Sequence, residues 1–297
     1  PPKDKPSPNA DAVVLLKKWI AAGAKGPVDD VPTLDVPSIK PLTEKPQPVT
    51  AVAFSPDGSR FVGARFGAVE FRDPKHLLLQ HIVDVSAAAG KINALSFSRD
   101  GRWLAAASGV TGLYGSAFII DMKEGKVVRQ IKGHRDVMYD AVFSPDGKLL
   151  ATCSYDRRII LWNAETGEQV REIAGHNDAV YDLAFHPDGK VLASASGDGT
   201  IKLWRVSDGE RLDTLNQPLK EQYVVTFSPD GRQVIAGGAD NRIRVWQFVS
   251  REKPAINPLL HARFAHEGAI VRLVLSRDGG RLVSAAEDGT VKLWEAK

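Results

Sequence analysis

The chain has 297 residues, with 39 Lys and Arg against 36 Asp and Glu, 43% hydrophobic and 25% charged. Those proportions fit a globular protein and exclude a disordered tail, a collagen-like fibre and a strongly basic nucleic-acid arm. One cysteine, Cys153, excludes an internal disulfide and any multi-thiolate metal or haem-attachment motif, and no apolar run reaches the ~20 residues that span a bilayer.

The first element is a helix over residues 8–22. Ser7 can cap it, Pro8 suits the first helical position, Ala12, Leu16, Trp19 and Ile20 share one face, and Gly23 is the stop. The sequence opens Pro-Pro-Lys-Asp-Lys-Pro with neither Met nor a leader-like pattern, so the chain reads as processed or excised. Residues 26–46 follow as a stiff, proline-rich connector in which a sheet-edge strand fits at Ser38 to Leu42.

From residue 47 onward the chain repeats itself. Six segments end an apolar run in a tight turn: Phe54-Ser-Pro-Asp-Gly58, Phe97-Ser-Arg-Asp-Gly101, Phe143-Ser-Pro-Asp-Gly147, Phe185-His-Pro-Asp-Gly189, Phe227-Ser-Pro-Asp-Gly231 and Leu275-Ser-Arg-Asp-Gly279. The period is about 44 residues. Proline presets the backbone at the first turn position, while Asp and Gly supply the side-chain bond and the positive φ that close a hairpin. After each turn come a short β-rich stretch, a second turn and a β-branched stretch closing on Trp, such as Ile159-Ile-Leu-Trp162 and Ile201-Lys-Leu-Trp204. A further Gly turn, for example Thr166-Gly167, leads into a fourth stretch, so each unit predicts a four-stranded antiparallel sheet. Unit two carries a longer second turn from Gly109 to Ser116, and unit five has Pro218 where others have Gly-His. Units one and two lack the Trp, with Phe71 or Arg72 and Ile120 in its place.

Over residues 47–297 these units resemble WD40 repeats, the blades of a β-propeller. Two further spacings carry the likeness: His134, His176 and His266 lie nine residues before the turn residue, and Asp156, Asp198, Asp240 and Asp288 lie six before a Trp. The resemblance implies an all-β WD40 propeller of six recognisable blades plus one short N-terminal helix, with seven blades the alternative if the natural chain continues. It also implies that the connector strand can complete the last blade.

Three units gather a hydroxyl, a histidine, a carboxylate and an indole: Thr152, His134, Asp156 and Trp162; Ser194, His176, Asp198 and Trp204; Ser284, His266, Asp288 and Trp294. On paper each is a Ser-His-Asp set. Three copies at the repeat period instead suit the buried network that ties strands together in the resembled family. Ser154 or Ser196 can replace Thr152 or Ser194 in that role. No nucleophile elbow, phosphate-cradling loop, His-Glu-x-x-His or calcium loop is present, so no catalytic, cofactor-binding or metal residue is assigned and the chain is expected not to be an enzyme. Cys153 reads as a buried, inert thiol. The charges form no basic stripe, so a nucleic-acid partner is not expected, nor is insertion into a membrane.

All five tyrosines fall in two kinds of place. Tyr139, Tyr181 and Tyr223 lie four residues before a turn Phe, while Tyr114 and Tyr155 lie in the loop between the second and third strands. In the resembled fold both places emerge on one rim, which makes these five the candidate face for a protein partner.

Residues 1–24, Pro1-Pro-Lys-Asp-Lys-Pro6 followed by Leu15-Leu-Lys-Lys-Trp-Ile-Ala-Ala-Gly-Ala24, also resemble the tail of c-type cytochrome domains fused to WD repeats in planctomycete-like bacteria. That likeness implies that residues 1–25 are the remnant of an upstream domain carrying haem c and that the protein lies outside the cytoplasm. The leading expectation is a non-enzymatic scaffold for protein–protein interaction. A docking arm in electron transfer and a ligand-binding or hydrolytic propeller are the alternatives.

Overall fold

The computed structural model describes residues 10–21, 48–85, 90–218 and 220–296. The chain divides into two units, Pro1–Pro46 and Gln47–Lys297. In the first, the helix α1 spans Ala10–Ala21, with Asp11 in its first turn and Lys18 in its last, both placed to favour the helix dipole. The Ser7 cap, the connector and the Ser38 to Leu42 strand expected within it lie outside the described residues.

The described part of the second unit holds 23 strands in six antiparallel sheets. Blade one is β1 (Ala51–Phe54), β2 (Phe61–Arg65), β3 (Ala68–Arg72) and β4 (Leu79–Asp84); blade two is β5 (Lys91–Phe97), β6 (Trp103–Val110), β7 (Tyr114–Asp121) and β8 (Lys126–His134). Blade three is β9 (Met138–Phe143), β10 (Leu149–Ser154), β11 (Ile159–Asn163) and β12 (Gln169–Ile173); blade four is β13 (Val180–Phe185), β14 (Val191–Ser196), β15 (Ile201–Arg205) and β16 (Arg211–Leu215). Blade five is β17 (Gln222–Phe227), β18 (Gln233–Gly238), β19 (Arg242–Gln247) and β20 (Leu259–Phe264); blade six shows β21 (Ile270–Leu275), β22 (Arg281–Ala286) and β23 (Val291–Glu295). The architecture is an all-β propeller of six blades, as the repeats predicted. First strands of consecutive blades contact one another from β1 through β21, which puts them at the centre.

The turn motif shows why each blade begins as it does. In unit three Ser144 Oγ donates to Asp146 Oδ1 at 2.6 Å and accepts from Leu149 N at 2.9 Å, while Gly147 N donates to Ser144 O at 2.8 Å. The closing glycines of all six turns sit at φ between 68° and 75°, a region that L side chains adopt only under strain.

Both faces of an interior blade are buried, so its middle strands are nearly continuous apolar runs. Ala151, Ile159 and Leu161 of blade three pack against Val180, Leu183, Leu192 and Trp204 of blade four. Likewise Leu150, Ile160 and Trp162 of blade three pack on Ala105, Ala107 and Ile119 of blade two. The Trp-bearing face therefore meets the preceding blade and the opposite face meets the following one.

Two features depart from expectation. The long second turn expected over Gly109 to Ser116 is mostly strand: β6 and β7 pair as far as Val110 opposite Tyr114. Small residues, Ala105 to Ala107 and Ser116 to Ala117, let this hairpin extend by close packing. The second departure is at the ends of the array. Arg277 Nη2 donates to Pro56 O at 3.0 Å, linking blade six to blade one. Yet Val52 and Phe54 on one side are 53% and 59% exposed, and Val291 on the other is 70% exposed.

Candidate functional site

The three four-residue sets are each assembled. In blade four, Trp204 Nε1 donates to Ser194 Oγ at 2.8 Å, Ser194 Oγ lies 2.7 Å from His176 Nε2, and His176 Nδ1 lies 2.8 Å from Asp198 Oδ2. Burial holds the His176 pKa below its usual value, outweighing the carboxylate beside it, and favours the neutral ring. That ring accepts a hydrogen bond from the Ser194 hydroxyl on Nε2 and donates its Nδ1–H to Asp198. Burial also opposes ionisation of Asp198, but the bonds from His176, Thr200 and the Asn177 amide hold its pKa far below the carboxylate range. Lys202 Nζ adds an ion pair to Asp198 at 3.1 Å and donates to Gly175 O at 2.7 Å.

Blade three repeats the set through Thr152, with Trp162 Nε1 at 2.8 Å, His134 Nε2 at 2.9 Å and His134 Nδ1 at 3.0 Å from Asp156. Ser154 and Ser196 are placed elsewhere: their hydroxyls donate to Asp136 O and Asp178 O, on the approach to the first strands. In blade six His266 Nε2 lies 2.7 Å from Ser284 and Trp294 Nε1 donates to the same oxygen at 2.8 Å, while Nδ1 is shared by Thr290 at 2.9 Å and Asp288 at 3.3 Å. Gly133 precedes the blade-three histidine because a Cβ there would stand 2.5 Å from the Trp162 ring. Thr152, Ser194 and Ser284 have no exposed surface, and each oxygen already accepts an indole N–H.

Four of the five tyrosines meet in one ladder. Ring centroids are 6.5 Å apart for Tyr139 and Tyr155, 4.9 Å for Tyr139 and Tyr181, and 5.3 Å for Tyr181 and Tyr223, the last two edge to face. Equivalent positions on β9, β13 and β17 bring the three inner rings together, and the turn after β10 lowers Tyr155 onto them. Burial, the neighbouring rings and Asp178 push the Tyr181 pKa up to about 12. The fifth, Tyr114, was expected in a loop; it begins β7 and packs half-buried against the cluster shared by blades one and two.

The family model for WD40, "WD domain, G-beta repeat", matches residues 79–111, 125–163, 167–205, 210–247 and 258–295. The chain belongs to the WD40-repeat family. Each matched WD40 repeat after the first starts near the outer strand of one blade and ends on the third strand of the next, so consecutive blades share a repeat. The matches begin at Leu79, so the cytochrome likeness of residues 1–24 gains no support from them.

Similar proteins include Protein HIR1 of Candida albicans, 31% identical over 31% of this chain and 12% of that protein. Another is the intraflagellar transport protein 122 homolog of Homo sapiens, 32% identical over 25% of this chain and 6% of that protein. The chain thus spans a small part of these relatives' length. Among solved structures, a chain of the "Crystal Structure of Mitotic Checkpoint Complex" superposes with a TM-score of 0.74 over 85% of this chain and 76% of that one, at 23% identity, a likeness of fold alone.

The WD40 pattern hides two clusters that the sequence reading missed. In blade five, which lacks the histidine, Arg244 pairs with Asp240 at 2.6 Å and Trp246 Nε1 donates to Gln217 Oε1 at 3.0 Å. At the inner ring, Asp140 and Asp182 are both buried, on equivalent positions of β9 and β13. Asp140 Oδ2 accepts from Leu183 N at 3.1 Å, Asp182 Oδ2 from Val225 N at 2.8 Å, and Arg272 Nη1 of blade six reaches Asp182 Oδ1 at 3.3 Å. Burial and then the Asp140 charge push the Asp182 pKa up to about 8, against the opposing effect of Arg272. The signal was visible as Asp three residues before the turn Phe in units three and four, with Arg272 at the same offset in unit six, but no motif flagged it.

Among the described residues no cluster of three or more His, Cys, Asp or Glu is placed to hold a metal, and no helix is long and apolar enough to cross a membrane. Cys153 is buried, and burial followed by the charges of Asp140 and Asp182 raises its pKa well above the ordinary thiol value.

Proposed function

We propose that this WD40 propeller is a non-enzymatic scaffold that docks a protein partner on its tyrosine face. The observation carrying the proposal is the continuous ladder of Tyr155, Tyr139, Tyr181 and Tyr223, which draws together one turn and three inner strands from three blades. Tyrosine suits such a surface because its ring buries a large area at low entropic cost while its hydroxyl finds a polar partner. The Ser-His-Asp sets favour a structural role, since a nucleophile whose oxygen accepts an indole N–H beneath the surface meets no substrate.

The test compares the wild-type chain with a Tyr139→Ala, Tyr181→Ala, Tyr223→Ala triple variant as bait against extract of the source cells, both baits checked for unchanged melting. Proteins retained by the wild type are expected to be lost from the variant. Equal retention by a folded variant would remove the tyrosine face from the reading.

A further inference from the structure

Resting on that docking face, a more specific partner chemistry can be read from what surrounds the rings. Tyr155 is 46% exposed and lines one depression with Asp136, Asp178, Arg135 and Arg157. Asp136 Oδ1 accepts from Gly112 N at 2.8 Å and Val137 N at 2.7 Å, and Asp178 Oδ1 accepts from Ala179 N at 2.7 Å. Those amide bonds fix both carboxylates in place and leave their second oxygens without a donor among the described residues. Glu221, just before β17, and Glu287, in the turn after β22, add their charges beside Tyr223.

Carboxylates are the charged side chains that act most on the rings, and Arg272, the cation of the inner ring, is held by Asp182 at 3.3 Å. Asp136 acts on Tyr139, Asp178 on Tyr181, and Glu221 and Glu287 on Tyr223, each raising the cost of ionising the phenol. The four hydroxyls are not hydrogen-bonded among the described residues. The nearby Arg158 is already engaged by Asp156 at 2.7 Å and Glu172 at 2.9 Å, leaving Arg135 and Arg157 as the cations of the outer edge. An aromatic face carries negative potential over the ring, and fixed carboxylates around it deepen that potential, so the arrangement attracts a cation and offers it both a ring and an acceptor.

We propose that the tyrosine ladder, with Asp136, Asp178, Glu221 and Glu287 around it, binds a protein segment through a Lys or Arg side chain laid on the rings. The partner is therefore a basic peptide or loop, and an acidic segment held by Arg135 and Arg157 is the competing outcome.

The experiment uses the 297-residue chain and phage-displayed random dodecapeptides as the probe. Enriched peptides are synthesised and titrated against the wild type, an Asp136→Asn, Asp178→Asn, Glu221→Gln, Glu287→Gln variant, and the Tyr triple variant. Because the half-buried inner rings contribute to packing, a Tyr155→Ala single variant serves as the control that keeps the core intact. The expected result is a shared Lys or Arg in the enriched peptides. Affinity should fall at least tenfold on the charge-neutralised variant, and as much when norleucine replaces that residue. Peptides that lose binding on the tyrosine variants yet carry no cation, or carry Asp or Glu read by Arg135 and Arg157, would overturn the cation proposal and leave the docking face standing. Peptides that bind all variants equally, or no enrichment at all, would overturn both.

Discussion

Residues 201–204 read Ile-Lys-Leu-Trp and residues 291–294 read Val-Lys-Leu-Trp, the same strand position in blades four and six. In blade four Ile201 and Leu203 have no exposed surface, whereas in blade six Val291 is 70% and Leu293 64% exposed. Nearly identical strings thus have opposite environments, because burial in a propeller is supplied by the next blade. Blade four has Val225, Phe227 and Trp246 of blade five laid over that face. The corresponding face of blade one carries Arg72 opposite Phe61, where blade four has Trp204 opposite Leu192, and it does not cover Leu293.

The largest effect expected is at the indole. Trp204→Ala removes a side chain that is almost wholly buried between blades three and four and leaves Ser194 without its indole N–H donor. A loss of about 4 kcal/mol is expected by denaturant unfolding. Trp294→Ala breaks the same bond to Ser284 on a half-buried ring and should cost clearly less. Equal losses would mean that the network, and not the neighbouring blade, sets the stability of each unit.

Leu203→Ala comes next. The side chain packs with Val191, Leu212 and Leu215 and with the blade-five residues Val225 and Trp246, and its truncation should cost about 3 kcal/mol, measured by the same unfolding curve.

The terminal blade is nevertheless tied to the interior through Arg272, and pH gives access to that tie. Burial and the neighbouring Asp140 raise the Asp182 pKa from 3.8 to about 8 on folding, so folding takes up a proton between those values. The stabilisation from this group is fully present below pH 3.8 and is lost as pH rises toward about 8. Asp182→Asn cannot lose that proton, so its melting temperature should vary less than the wild type's from about pH 4 to 8. Identical profiles for the two proteins would remove Asp182 as the titrating group.

The repeats, their turns and their strand order were legible because each depends on local chemistry: Asp and Gly at a turn, apolar residues in strands, Trp at a fixed offset. The three His-containing networks were legible for the same reason, since His176, Ser194, Asp198 and Trp204 recur at constant spacing. Substituted parts were harder to read. Gln217 serves Trp246 from a stretch with no motif, and Arg244 neutralises Asp240 where the repeat would supply a histidine. The Asp140, Asp182 and Arg272 cluster joins residues 42 and 90 positions apart, a contact fixed by closing the inner ring and by no local pattern. Tyr114 was misplaced because β6 and β7 outrun the length that their turn signals implied.

The smallest expected effect decides most about the comparison. Leu293→Ala should change stability by less than about 0.5 kcal/mol, because an exposed side chain already meets water and its loss leaves no cavity. The measurement is the difference between this variant and Leu203→Ala at the same strand position, so backbone propensity and strand geometry cancel. A cost for Leu293→Ala approaching that of Leu203→Ala would show that the outer face of blade six is covered in solution. In that case sedimentation of the wild type separates the sources of cover: a concentration-dependent loss of the effect identifies a second copy, and a concentration-independent cost identifies the chain's own residues. A negligible cost leaves Val274, Val291 and Leu293 facing water, and the difference between blades four and six then measures what one neighbouring blade contributes to a WD40 unit.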